Sequence, residues 1–186
     1  MLHPWLHFKT ITHHKLLVMK YCFQAGLYRQ GLLHDLSKYA PVEFLVGCRY
    51  YQGTSSPNNE ERAQTGVSMS WLHHKGRNKH HFEYWVDYVI GDEHIINGAK
   101  MPRKYVAEMV LDRISASRNY LGDAYTDQEP LKYFLKSKDQ LWFIHPQTKK
   151  ELEALLRILN DHGEKKLLHY LKYRYLRNNS MNKRRK

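Results

Sequence analysis

An all-α fold is predicted by three features of the chain. Apolar residues recur mostly at intervals of three and four, the spacing of one helical face. Runs that alternate β-branched and polar residues are nearly absent. Breaks rich in glycine, proline and asparagine cut the chain into segments of helical length. No internal repeat and no domain boundary interrupts the pattern. The expectation is therefore a single helical bundle, whose later helices pack on the same domain.

Element by element, Ile11, Leu17, Val18 and Tyr21 share one face of a first helix over 11–23, and Gly26 suits its end. "QGLLHDLSKY" is a short apolar-polar segment closed by Pro41. Pro41 suits the first turn of a helix through "VEFLVGCRYY". "QGTSSPNNEE" is the clearest loop. A helix is expected to resume near Asn59 and reach the histidine cluster, where Gly76 and Asn78 interrupt it. "INGAKMP" breaks the chain again, and Pro102 opens a helix over "RKYVAEMVLDRISASRNYL". After the turn "GDAYTDQEP" come three more helices: "LKYFLKSKDQLWFI", "TKKELEALLRILNDHG" and "EKKLLHYLKYRYL". Gly163 is the hinge between the last two. Residues 177–186 are basic and polar, as expected of a flexible tail.

Composition narrows the function classes. The chain has 186 residues, 42% of them hydrophobic and 13% aromatic, enough for one folded domain with a sizeable core. Lys and Arg total 30 against 18 acidic residues, a net charge of +12 that favours phosphorylated or polyanionic partners. Cys22 and Cys48 lack any CxxC spacing and sit in apolar surroundings, as expected of reduced thiols in the cytoplasm. The opening "MLHPWLHFKTITHHK" does not read as a signal peptide, and no run reaches the ~18 apolar residues of a membrane span.

Chemistry concentrates in a few places. "GLLHDLSK" sets His34 beside Asp35, with Lys38 three residues on. Adjacent residues of a regular helix diverge by ~100°, so the two converge on one ion only at a helix end or bend. Imidazole with carboxylate suits Fe, Mn, Ni, Co or Zn rather than Ca. Upstream, "THHKLLVMK" places His13 and His14 on a helix with an apolar face. Downstream, Asp112 lies among Val106, Met109, Val110 and Ile114, where a buried carboxylate needs a cation. An exposed pair with Arg113 or Arg118 is the alternative. Glu108, four residues earlier, shares the Asp112 face and could orient a histidine or pair with Lys104 or Arg113.

"WLHHKGRNKHHFEYW" holds His73, His74, His80 and His81 within nine residues. A metal site, an anion-binding patch and chance in a histidine-rich chain all remain open for it. On an unbroken helix His74 and His81 share a face, and His80 points elsewhere. A break at Gly76 to Asn78 would instead let His74 and His80 converge. Arg77, Asn78 and Lys79 offer donors to an anion. Trp71, Phe82, Tyr84 and Trp85 suit core packing, with stacking on a nucleobase as the alternative. His3, His7, His94, His145, His162 and His169 read as background.

The ordered set His14, His34-Asp35, Asp112 resembles the H…HD…D signature of the HD-domain metal-dependent phosphohydrolase superfamily. More narrowly, "THHKLLVMKYCFQAGLYRQGLLHDLSKYAPVEF", "HHKGRNKHHFEYW" and "EMVLDRISAS" are similar to a small bacterial and phage family of uncharacterised HD-like proteins. The resemblance covers roughly Ile11 to Leu121. It implies an HD-type domain over 1–125, with C-terminal helices over 126–176 packed on it. It further implies that His14, His34, Asp35 and Asp112 hold one divalent metal and that His13 faces solvent or supports a ligand. Lys38 would contact a substrate phosphate. In two-metal members, extra histidines between the HD pair and the last Asp hold a second ion, which points to His74 and His80. His81, Arg77, Asn78 and Lys38 are then candidates for substrate binding, Lys38 and Asp35 for catalysis, and Glu108 for support of a ligand.

One or two transition-metal ions are the expected cofactor. The expected activity is hydrolysis of a phosphate ester of a nucleotide or other small molecule through a metal-activated water. Two alternatives stand beside it. One is an HD-type di-iron oxygenase. The other is a non-catalytic nucleic-acid-binding protein acting through the basic C-terminal helix "EKKLLHYLKYRYLRNN" and its tail, an association that could also accompany the enzyme.

Overall fold

The computed structural model describes residues 2–91 and 95–177. The predicted basic tail beyond Arg177, and His94, lie outside the described residues. Eight α-helices account for most of what is described. They are α1 (Pro4–Ala25), α2 (Tyr28–Leu33), α3 (Pro41–Arg49), α4 (Pro57–Thr65), α5 (Met69–Lys75), α6 (Arg103–Leu121), α7 (Glu129–Ser137) and α8 (Pro146–Tyr170).

The expected all-α content needs one correction. Val86–Tyr88 (β1) and Ile96–Gly98 (β2) pair as an antiparallel hairpin, with Asp87 opposite Asn97. Three residues per strand are too few for an alternating pattern to register in the sequence. A second correction concerns the helix expected from Asn59 to the histidines. Gly66 ends α4 in the left-handed region, and a new helix begins after Ser68. Ser68 Oγ accepts from the Trp71 N–H and caps the start of α5.

Two long helices form the spine. α1 buries Ile11, Val18, Tyr21, Cys22 and Ala25 along one stripe and ends at Gly26, whose neighbour Leu27 donates back to Cys22 O at 2.7 Å. α6 buries Val106, Met109, Val110 and Ile114 against it. α7 adds Leu131 and Phe134, and α8 adds Leu152, Leu155, Leu156 and Leu159. Cys22 and Cys48 are buried and unpaired. None of the described helices is long and apolar enough to cross a membrane.

The predicted hinge at Gly163 is a break inside α8, with φ 78° and ψ 171°. That conformation is open essentially to glycine alone. Glu164, just beyond the break, accepts from Arg118 Nη2 at 2.7 Å and from the Tyr21 hydroxyl at 3.1 Å. The last segment is thereby fixed onto α1 and α6. Its apolar face, Leu167, Leu171 and Tyr175, is buried in the core, while Lys165, Lys166, Lys172 and Arg174 remain exposed.

Candidate metal centre

The chain bends where the sequence sets His34 beside Asp35. α2 stops at Leu33, His34 turns extended with ψ 127°, and Asp35 adopts φ 51°, ψ 28°. Asp35 is the one non-glycine residue with positive φ among the described residues. Aspartate tolerates that region better than most residues, and such departures cluster at functional sites. The bend turns both side chains inward, each 2% exposed. Lys15 Nζ donates to the carbonyls of Leu32 and His34 at 2.9 Å and satisfies the frayed end of α2.

Two groups of donor atoms converge on Asp35. In the first, His14 Nε2 stands 3.0 Å from Asp112 Oδ1, and His34 Nε2 stands 3.3 Å from Asp35 Oδ2 and 3.4 Å from Asp112 Oδ1. α1, the α2 bend and α6 each contribute, because Ile11, His14 and Val18 follow one stripe of α1 and Glu108 and Asp112 one face of α6. In the second, His74 Nε2 and His80 Nε2 are each 3.4 Å from Asp35 Oδ1, and His74 Nε2 is 3.0 Å from His81 Nε2. His14, His34, Asp35 and Asp112 thus form one potential ligand set, and Asp35, His74, His80 and His81 another.

Asn78 shapes the turn that carries the second group. α5 ends at Lys75, and the buried Asn78 amide donates to His74 O at 2.8 Å and to Ser37 Oγ at 2.9 Å. His81 N then donates to Asn78 O at 3.1 Å. The helix is broken, as one of the two sequence alternatives required, yet both His80 and His81 return to His74.

Carboxylates stand behind the imidazoles. Glu108 Oε1 lies 3.0 Å from His34 Nδ1 and 3.3 Å from His80 Nδ1. Glu43 Oε2 lies 2.8 Å from His74 Nδ1, and its other oxygen is 2.5 Å from His73 Nδ1. A carboxylate on the remote nitrogen fixes the ring and its tautomer, leaving Nε2 as an acceptor for a cation. Glu108, expected to support a ligand, thus faces His34 and His80 and forms no ion pair with Lys104 or Arg113. Glu43, hidden in the apolar run "VEFLVGC", is the residue that sequence reasoning missed.

The inward atoms fit a cation. His14 Nε2, His34 Nε2, His80 Nε2 and both Asp35 oxygens are buried without a hydrogen bond. Lys38 Nζ approaches Asp35 Oδ2 to 2.6 Å and partly compensates that oxygen, while Oδ1 meets no cation. Buried polar atoms left this way cost about 1–3 kcal/mol each, which a coordinated ion offsets. A mixed imidazole and carboxylate set suits Fe, Mn, Co, Ni or Zn. Burial pushes the Asp35 and Asp112 carboxyls up, but the facing imidazoles, with Lys38 beside Asp35, outweigh it and hold both well below the usual range. Burial, reinforced by His80 and His74, holds His81 well below the usual imidazole range and so neutral, as a ligand must be.

A cavity of about 140 Å³ opens beside the two groups, lined by His14, Asp35, Lys38, His74, His81 and Asp112 among others. Two residues expected to bind substrate stand apart from it. Arg77 is exposed and donates back to His73 O at 3.4 Å, while the Asn78 amide is engaged by His74 O and Ser37 Oγ. Loss of the helix after Lys75 turns Asn78 inward and Arg77 outward. His81, also expected on the substrate, lies both on the cavity wall and inside the second donor group. His13 is exposed, with Nδ1 2.7 Å from Asn119 Oδ1. Asp112 forms no ion pair with Arg113 or Arg118, since Arg118 is held by Glu164. Of the aromatics, Trp71 stacks on His74, Phe82 and Trp85 pack against the core, and Tyr84 is exposed. His7, expected as background, is buried against α3, where burial and nearby Lys38 lower its pKa to about 4.

A model of one protein family, described as a family of unknown function (DUF5662), matches residues 3–158, and the chain belongs to that family. No curated protein and no solved structure matches it.

Proposed function

We propose that this member of the DUF5662 family is a metal-dependent phosphohydrolase of the HD type with two adjacent metal sites. The observation that carries the reading is Asp35. Its Oδ2 faces the His14, His34 and Asp112 group, and its Oδ1 faces His74 and His80, as expected of a carboxylate shared by two ions. The order of the ligands along the chain, with His14 on α1, His34 and Asp35 at the α2 bend and Asp112 on α6, supports the HD assignment. When bound, the ions supply Lewis-acid stabilisation of a phosphoryl oxygen and an acidified water.

The chain's own residues supply the rest. Glu108 and Glu43 hold the imidazoles in one orientation. Lys38, half-buried on the cavity wall, offers its ammonium to phosphoryl charge. Asp35 beside it keeps that ammonium charged: burial opposes the charge, but the carboxylate outweighs it and raises the Lys38 pKa. The test is phosphate release from a panel of phosphomonoesters by metal-reconstituted protein. Release that disappears in Asp112→Ala and falls by ~10²-fold or more in Lys38→Ala is the expected result. No release from any ester under any metal would overturn the reading.

A second reading, an HD-type di-iron oxygenase, is favoured by one observation: three imidazoles, His74, His80 and His81, gather on the second group. It requires preferential iron binding, a visible absorption band and dioxygen consumption. Colourless protein that turns over esters with redox-inert zinc would exclude it.

A further inference from the structure

Between Leu32 and Val46 the chain reverses the usual placement of charge. Asp35 and Glu43 are buried, and Lys38 is turned onto Asp35 Oδ2 at 2.6 Å, so all three charged side chains of the segment serve the metal centre. Its exposed residues are all apolar: Leu32, Leu33, Leu36, Pro41, Val42 and Leu45. The leucines and the valine stand 46–64% exposed. A single exposed leucine carries no message, but a segment that gives every open position to an apolar residue marks a surface that is covered in use.

Two rings of α1 continue this surface. Trp5 stacks on Phe8 with centroids 6.0 Å apart, and Phe8 meets the edge of Tyr39 at 6.1 Å. The Thr12 and Tyr39 hydroxyls, 3.0 Å apart, hold α1 to the Leu36–Tyr39 turn at that point. Trp5 is 63% exposed and Phe8 39%. With ~200 Å² for a large apolar residue, eight of them about half open leave on the order of 800 Å² exposed. The largest apolar area on an ordinary monomer is about 300–600 Å², and each partner of a stable complex buries about 800 Å². Lys9 over the Trp5 ring, and Arg49 one turn beyond Leu45, stand exposed at its ends, as a polar rim would.

The chemistry of the face selects its occupant. An acidic partner or a polyanion would be met by cations, and the one cation of the segment, Lys38, is engaged inward. Residues 92–94 and 178–186, outside the described residues, are mostly polar or charged and match no aliphatic surface. Two copies of a chain carrying +12 repel each other and associate most readily where charge is absent, and an uncharged apolar face is complementary to itself. We propose that this face joins two copies of the chain about a two-fold axis, backing the bend that carries His34 and Asp35. The face lies on the outer side of that bend, so the proposal is independent of the hydrolase reading.

Sedimentation velocity of the full-length protein, from about 1 to 100 µM, tests it. A dimer is expected within that range, and its affinity should rise with added salt, because screening relieves the repulsion between like-charged copies. Leu33→Glu combined with Leu45→Glu, both at exposed positions and checked for native melting, should weaken the dimer at least about 100-fold. Leu135→Glu, at an exposed position of α7, should leave it unchanged. Amide hydrogen exchange of the unsubstituted protein gives a second readout, in which residues 32–46 gain protection as the concentration rises. A monomer at every concentration would overturn the proposal, as would a dimer that survives the double substitution or exchange over 32–46 that does not depend on concentration. A monomer that co-sediments with phosphatidylcholine vesicles, and is released by the same substitutions, would assign the face to a membrane and overturn it equally.

Discussion

Glu108 Oε1 lies 3.0 Å from His34 Nδ1 and, from the same oxygen, 3.3 Å from His80 Nδ1. One carboxylate thereby ties together an imidazole from each donor group, and what perturbs it is felt at both.

Glu108→Gln is accordingly expected to weaken the first and the second metal together, by roughly 10- to 100-fold in affinity. Glu43 meets His73 and His74 and no imidazole of the first group, so Glu43→Gln should weaken the second ion alone. Competition with a chromophoric chelator, titrated stepwise, separates the two patterns. Equal effects of the two substitutions would contradict the division into two groups.

The groups also differ in their private members. Asp112→Ala removes a donor from the His14 and His34 set only, and His81→Ala removes one from the His74 and His80 set only. Each variant is expected to retain one ion when the parent holds two, as measured by elemental analysis. Loss of both ions from either variant would mean that the groups fill as one unit.

Glu61 positions the helix that delivers His74. Its carboxylate accepts from Ser68 Oγ and Ser70 Oγ, both at 2.5 Å, and from the Met69 N–H at 3.1 Å, joining α4 to the start of α5. Burial raises its pKa, but these hydrogen bonds outweigh burial and hold the carboxyl below its usual range. A pKa depressed in the folded state contributes stability above the unfolded value of ~4.3, and that stability is lost as pH falls through the folded value. Glu61→Gln should therefore cost about 1–3 kcal/mol at neutral pH, and less as the pH drops into the acid range. Thermal melting of both proteins from pH 7 to pH 3 measures the gap, and a gap that widens toward low pH would refute the assignment.

α3 packs on α1 at Gly47, where an added Cβ would overlap the His7 ring. Gly47→Ala should destabilise the fold by about 1–3 kcal/mol, although alanine is the better helix former. Combining it with His7→Ala should recover part of that loss, because the clash is removed. Denaturant titration of the four proteins checks the coupling, and simple additivity would show that the two residues do not meet.

How much of this was legible in the sequence depends on the length of the pattern that encodes it. α1 and α6 are long and periodic, so His14 and Asp112 stand out as polar residues on apolar stripes. His34 and Asp35 announce a bend through the geometry of neighbours, and the left-handed Asp35 is that bend. Gly76 and Asn78 offered the break after Lys75, but that it returns both His80 and His81 to His74 was not legible, because the Asn78 side chain sets the turn through contacts with Ser37, forty-one residues away. The hairpin at Val86–Tyr88 and Ile96–Gly98 is shorter than any periodicity can register. Glu43 looked like an ordinary helical charge until α3 was folded against α5.

Whether Asp35 bridges two ions is measured by the metal content of the untagged protein, purified without chelator and reconstituted, beside Asp35→Ala. Two equivalents of a transition metal are expected in the parent and almost none in the variant, because both donor groups lose their shared carboxylate. Two equivalents retained in Asp35→Ala, or none in the parent after reconstitution, would contradict it.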